Sequence, residues 1–475
     1  MKYIKFNTFI ILLCITLFQC TEDFDEINTH PNKLEEINAG APLNPILYNL
    51  AKRNFVDNVN DNSQLMQIIL KTDNLIDQPY LFELQENIGN GFWNEYYSAL
   101  INIKEMENKA IEDEKPNYEA IALTLKAYAF AQLTDVFGDI PMEEALKAEE
   151  GIIYPKFSEQ SVIYEKILED LKRANELYDV DTPLVYSNDI LFNNNVMSWK
   201  KFTNSLRLRL LLRISNRKDT YAEMVEIVNN PTDNPVFEHN DESAILEISG
   251  VAPSLSPYNR PQDFYNFKQY NAFFIDILKD MDDPRLPFFA TEAKNLNNEN
   301  IGYIGVPIDF INNPLPDSIA APSGLNREIV ESPMIIPILP YSEVEFIKAE
   351  LAQKGYIGNA EQHYKKGVKA AIEQWNIVVE DDYFNNANVA YDGTLERIIT
   401  QKYLSSIFTD FQSWSEYRRT GLPELITSSS MANDGIMPAR FYYQTDVVFT
   451  NPENYKNQID KMGGDNINVK VWWAK

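Results

Sequence analysis

Between residues 341 and 376, two runs of apolar side chains recur at helical spacing on either side of a glycine break, and no other feature constrains the chain as much. In the first run Val344, Ile347 and Leu351 share one face, and Ser342 with Glu345 reads as a capping box opening the helix. Gly355 and Gly358 mark the break. The second run carries Tyr364, Val368, Ala371, Ile372 and Trp375 at offsets of 4, 7, 8 and 11, again on one side. A lone pair of this kind cannot bury its apolar faces; it needs neighbouring pairs to stack on.

Weaker pairs supply them. Residues 45–70 pair with 92–111. Residues 120–135 (Ile121, Leu125, Tyr128) pair with 160–178 (Ile163, Ile167, Leu171, Ala174), and 199–215 (Trp199, Phe202, Leu206, Leu210, Ile214) with 219–229. On the tetratricopeptide pattern, the large positions of the 341–376 pair fall on Val344, Ile347, Leu351, Ala360 and Tyr364. No dinucleotide-binding or P-loop glycine motif occurs, and no hairpin series runs at regular spacing. The expected class is mainly α: about four tetratricopeptide-like helix pairs, near 45–111, 120–178, 199–229 and 341–376, scaffolding an irregular, loop-rich half.

That half is expected in two inserts. Residues 230–335 are rich in Pro and Asn, with helical period only at 271–281, yet they hold Tyr258, Phe264, Tyr265, Phe267, Tyr270 and Tyr303. So many aromatics argue for an ordered binding surface. The shorter insert, 73–93, carries Tyr80, Phe82, Asn87, Asn90, Phe92 and Trp93. Rings at helical spacing (Tyr128, Phe202, Tyr364, Trp375) read as core, whereas rings in the inserts can take the apolar C–H faces of a sugar while Asn and Asp bond its hydroxyls.

The N-terminus reads as an export leader: Lys2 and Lys5, the apolar run Thr8 to Phe18, then Gln19-Cys20. Eleven apolar residues are too few to span a bilayer as a helix. The expected organisation is a lipoprotein signal at 1–19, a lipidated acidic tether at 20–42 with Cys20 acylated, and a single domain at 43–475. Leu17-Phe18-Gln19 departs from the small residues usual before a lipidated cysteine. Cys14 leaves with the leader, so no disulfide is expected.

A net charge of −28 argues against nucleic acid and against an anionic lipid surface, leaving the lipid as the only membrane contact. His30, His239 and His363 are the only imidazoles, too few for multi-histidine metal chemistry or a triad. The pairs Asp381-Asp382 and Asp282-Asp283 invite a glycosidase reading, but in so acidic a chain adjacent pairs arise by chance, and no catalytic residue is expected. Cofactors and metal sites are expected to be none. A structural calcium would draw on Asp139, Asp283 and Asp465, and no calcium-loop motif supports it. Trp414-x2-Tyr417-Arg418-Arg419 fits an anion clamp or a buried structural network, and the second reading is preferred.

Several islands in order along the chain resemble the SusD/RagB family of outer-membrane nutrient-binding lipoproteins of Bacteroidetes, in its SusD-like branch. They are the run Asp23 to Asn32 (DFDEINTHPN), Asp135 to Pro141 (DVFGDIP), Trp199 to Arg209 (WKKFTNSLRLR), Asp283-Pro284-Arg285-Leu286, Tyr341 to Glu350 (YSEVEFIKAE), Gln401-Lys402-Tyr403, Trp414 to Pro423 (WSEYRRTGLP), Pro438 to Tyr443 (PARFYY) and Trp472-Trp473. The chain has Tyr443-Gln444 where such proteins often carry Tyr-Pro. The resemblance implies a glycan-binding lipoprotein on the extracellular face of the outer membrane, delivering an oligosaccharide to a SusC-like, TonB-dependent transporter without chemistry of its own. A peptide ligand, or a helical-repeat interaction scaffold, is the alternative. It also implies a ligand site in the loops at about 73–93 and 255–330. There Tyr80, Trp93, Tyr265 and Tyr270 would be platforms, and Asp77, Asn90 and Asn266 polar contacts.

Overall fold

The computed structural model describes residues 38–475, apart from 74–77, 187 and 381. The expected leader, Cys20, Asp77 and Asp381 therefore lie outside the described residues, and Ala39–Lys475 form one compact unit. The expected helix pairs are all present. Helices α1 (Leu43–Asp57) and α2 (Asn90–Glu112) pack together, as do α3 (Pro116–Phe137) with α4 (Gln160–Leu177), and α5 (Val196–Arg213) with α6 (Tyr221–Asn229). Helix α7 (Ala272–Asp280) is the helical stretch inside the long insert. The final pair is α8 (Tyr341–Gln353) with α9 (Ala360–Glu373). Successive pairs stack, α2 on α3 and α4 on α5, and α5 also meets α8. The fold is mainly α, and the fold class matches the sequence expectation.

The local reasons are visible. Pro116 starts α3 where a missing N–H costs nothing, and the helix is apolar on nearly all sides because neighbours enclose it. Asn195 caps α5, its side chain accepting from the Ser198 amide at 3.1 Å. Gly367 lets α9 approach α8 closely: a Cβ there would come within 2.9–3.1 Å of the Phe346 ring. The four rings assigned to the core are buried, Tyr128, Phe202, Tyr364 and Trp375 alike.

Three details differ from expectation. The helix expected over 45–70 ends at Asp57, in a π-helical turn at Asn58–Asn62, and the chain then enters strand β1 (Ile69–Lys71). Buried asparagines cause this. Asn58 donates to the Asp410 carbonyl (2.8 Å), and Asn62 donates to Ser413 Oγ (2.8 Å) while accepting from the Trp414 amide (3.2 Å). Replacing Asn62 with alanine leaves that amide unpaired and is expected to cost about 1–3 kcal/mol in urea denaturation; an unchanged midpoint would refute this role.

Second, Ser342 is not a cap. Pro340 precedes α8, the Tyr341 amide donates to Ser243 Oγ at 2.8 Å, and Glu345 is held by Lys348 and His363. The neighbouring segment before the strand supplies the acceptor that the capping box would have provided. Third, the long insert contains a strand pair: β2 (Ala244–Ile248) runs antiparallel to β4 (Met334–Leu339), which feeds directly into α8. Helices α10 (Leu395–Ser405), packed on α8 and α9, and α11 (Gln412–Thr420) complete the scaffold.

Candidate ligand-binding site

The two inserts meet. Strand β1 pairs antiparallel with β3 (Lys268–Tyr270), in the register Ile69↔Tyr270, Leu70↔Gln269 and Lys71↔Lys268. The ladder continues as the Thr72 amide donates to the Phe267 carbonyl (2.9 Å) and Thr72 Oγ1 to Gln269 Oε1 (2.9 Å). On its other side the Tyr270 amide donates to Ser323 O, the Val306 amide to Tyr270 O and the Ala272 amide to Val306 O. Further along, the Tyr80 and Phe310 ring centres lie 6.2 Å apart, and Asn312 donates to Ser430 Oγ at 2.8 Å. Backbone hydrogen bonds thus join residues 68–72, 267–272, 306 and 323 in one loop frame, to which a ring contact adds Tyr80 and a side-chain hydrogen bond adds Ser430.

Within it the expected platforms separate. Tyr80, Tyr270 and Trp93 are buried and present no face to solvent. Tyr270 stacks on Phe274 at 5.3 Å. Trp93 stands edge-on to Phe137 at 5.0 Å, on the core side of α2. Burial pushes the Tyr80 phenol up to about 12, with Glu83 adding to it. These three rings are corrected to interior residues, because each finds aromatic or helical neighbours that cover it. Asn90 is also committed: it donates to Thr445 Oγ1 (2.7 Å) and accepts from the Thr445 amide (3.1 Å). Tyr265 is half-buried and Asn266 is exposed.

Between them and β3 stands a residue that the sequence reading noted but did not select. Phe267 is 59% exposed, and its backbone is left-handed at φ +59°. A bulky aromatic in that conformation costs about 1 kcal/mol or more. Its neighbour Lys268 is buried and donates to the Asp263 carbonyl at 2.8 Å. Burial, with the repulsion of Lys71 across the ladder, pulls the Lys268 ammonium down to about 8, against the pull of Asp73 and Asp263. A helical scaffold thus presents a half-buried tyrosine, an exposed asparagine and an exposed phenylalanine on a hydrogen-bonded loop frame.

The family model described as "Starch-binding associating with outer membrane" matches residues 31–444. The chain belongs to the SusD-like family. Solved structures agree with this fold. A chitin-binding protein, 26% identical, superposes with a TM-score of 0.78 over 92% of this chain and 99% of its own. A SusD homologue from Bacteroides fragilis, 23% identical, gives 0.74 over 93% and 100%. A chitin-binding SusD homologue from Flavobacterium johnsoniae, 22% identical, gives 0.76 over 91% and 98%. No curated protein sequence matches.

The remaining motifs of this SusD-like chain serve its architecture. Arg419 forks onto Glu350 (2.9 and 2.7 Å) and reaches Glu416 (2.8 Å), all three buried. Arg418 donates to the Asp135 and Ala439 carbonyls, with its guanidinium 3.6 Å from the Trp414 ring centre. These arginines are engaged inside the protein, not held as an open clamp. Asp283 is buried against Arg285 and accepts from the Tyr383 hydroxyl at 2.8 Å, while Asp282 accepts from Asn386 at 3.1 Å. Asp139, Asp283 and Asp465 bond separate partners, Gln160 with Gln458, Arg285, and Arg440 with Tyr443. Among the described residues no three His, Cys, Asp or Glu side chains converge to hold a metal, and no helix is long and apolar enough to cross a membrane.

Proposed function

We propose that this SusD-like chain is a lipid-anchored, surface-exposed solute-binding protein. It captures a neutral oligosaccharide on the loop frame around Phe267 and passes it, chemically unchanged, to a TonB-dependent transporter. Cys20 carries the anchor. One observation supports the binding surface above all: Phe267 keeps an exposed aromatic ring on a left-handed backbone that glycine would occupy without strain. Strain of this kind concentrates at functional sites. Asn266 beside it supplies amide donors and acceptors for hydroxyls, and Tyr265 a second ring edge. The family description and the chitin-binding structural relatives favour a glycan over a peptide.

Isothermal titration with maltoheptaose and chitohexaose tests this. Phe267→Gly is expected to weaken binding about ten-fold, close to 1.4 kcal/mol, while the melting temperature holds or rises because the strain is released. Undiminished affinity in that variant, or a lower melting temperature, would overturn the assignment.

A further inference from the structure

A separate cleft of about 920 Å³ opens over the β2–β4 ribbon, between it, the segment before α5 and the end of α9. It shares no residue with the loop frame. Its floor is the outer face of the β2–β4 ribbon, where Ile245 and Glu247 point out while Ala244, Leu246 and Ile248 point into the core. Ile335, opposite Glu247, and Ile190 from the segment before α5 complete an aliphatic wall. The end of α9 contributes Gln374, and Asn240 faces it from the approach to β2.

Gln374 is only 8% exposed, yet both its amide atoms lack a hydrogen-bond partner. Asn240 donates to the Ala370 carbonyl at 3.1 Å, while its own Oδ1 is unpartnered. Buried polar atoms of this kind cost free energy and are rare without a reason. The three unpaired amide atoms belong to two residues that line one cleft, and they suit a ligand that both donates and accepts. Asn188, Asn193 and Asn376 add further amides at the rim. The lining includes Asp241, Glu247 and Glu373 but no Lys or Arg, so an anionic ligand is repelled.

We infer that this cleft is a second binding site, for a neutral polyhydroxylated chain such as an oligosaccharide. Amides pair with hydroxyls, and isoleucine side chains cover the C–H faces. With no aromatic ring in the lining, it binds more weakly than the loop frame. The inference depends on the proposed function only for the choice of probe.

The test is a titration of the full chain, labelled at isoleucine δ1 methyls, with maltoheptaose, chitohexaose, cellohexaose and xylohexaose. Shifts at Ile190, Ile245 and Ile335 are expected with at least one probe, and are expected to persist in Phe267→Gly. In Gln374→Leu their saturation should need at least five-fold more ligand, with melting unchanged or raised, since an apolar side chain there no longer leaves amide atoms unpaired. No shift at these three methyls with any probe overturns the cleft, whatever happens at the loop frame. So does an undiminished response in Gln374→Leu. Loss of Phe267-dependent affinity alongside intact cleft shifts would instead speak to the proposed function alone.

Discussion

Replacing Arg419 with alanine is expected to remove about 3–5 kcal/mol of stability. Arg419 is buried between Glu350 of α8 and Glu416 of α11, and Glu416 also meets Lys402 of α10 at 3.2 Å. The same cluster continues through Arg213 of α5 to Asp135 of α3 at 2.6 Å, and through Arg209 to Glu343. Deleting the guanidinium takes from two buried carboxylates their shortest ion pairs and leaves Glu416 to Lys402 and Glu350 to Lys354 at 3.8 Å. Arg419→Lys keeps a charge but loses the fork, so an intermediate loss is expected.

The pH dependence separates this from a simple cavity. Burial alone would raise the Glu416 carboxyl, but Arg419, Lys402 and Arg213 hold it well below the usual carboxylate range. A carboxyl lowered by folding contributes stability that is complete above its unfolded pKa, about 4.3, and is lost as pH falls toward the folded value. In Arg419→Ala the main counter-charge of Glu416 is gone, and protonation relieves that buried carboxylate. The gap between the two proteins in urea denaturation is therefore expected to narrow from pH 7 to pH 4. A gap that stays constant would assign the loss to packing instead.

Gly305→Ala is expected to damage stability and ligand capture together. A Cβ at residue 305 would lie 2.5 Å from Ala272 Cα and 2.6 Å from its nitrogen. Both obstacles are backbone, so no side-chain rotation relieves the overlap, and overpacking of this sort costs about 1–3 kcal/mol. The hydrogen bonds between Val306 and residues 270 and 272 tie the loop frame at this point. Calorimetry should show a lower melting temperature, and oligosaccharide titration a loss at least as large as that of Phe267→Gly. Wild-type melting in Gly305→Ala would show that the strand can move aside.

The helix pairs are legible in the sequence because helices such as α4 and α9 display one apolar stripe at a period of 3.6 residues, while α3 and α5 are buried on nearly all sides. Helix α10 is not. Its apolar Ile398, Ile399 and Leu404 are interrupted by Gln401 and Lys402, which are themselves buried among the ion pairs. Strand β4 hides behind Pro337, a residue that reads locally as a break. In the site, the inserts were identifiable as aromatic and irregular, but exposure was not. Tyr270 and Phe267 are three residues apart in the same insert, and only the arrival of Phe274 over one and solvent over the other distinguishes them. The alternation of β3, which turns Lys268 and Tyr270 inward, is the signal that would have moved attention to Phe267.

The turn that ends α1 draws its hydrogen bonds from residues 408–414, and Met66 accepts one from Tyr403. The turn and the segment after it are thus completed by residues that follow 337–352 positions later. A chain that lacks residues 403–414 cannot close that junction, so α1 reaches its native ending only after contacts of high sequence separation have formed.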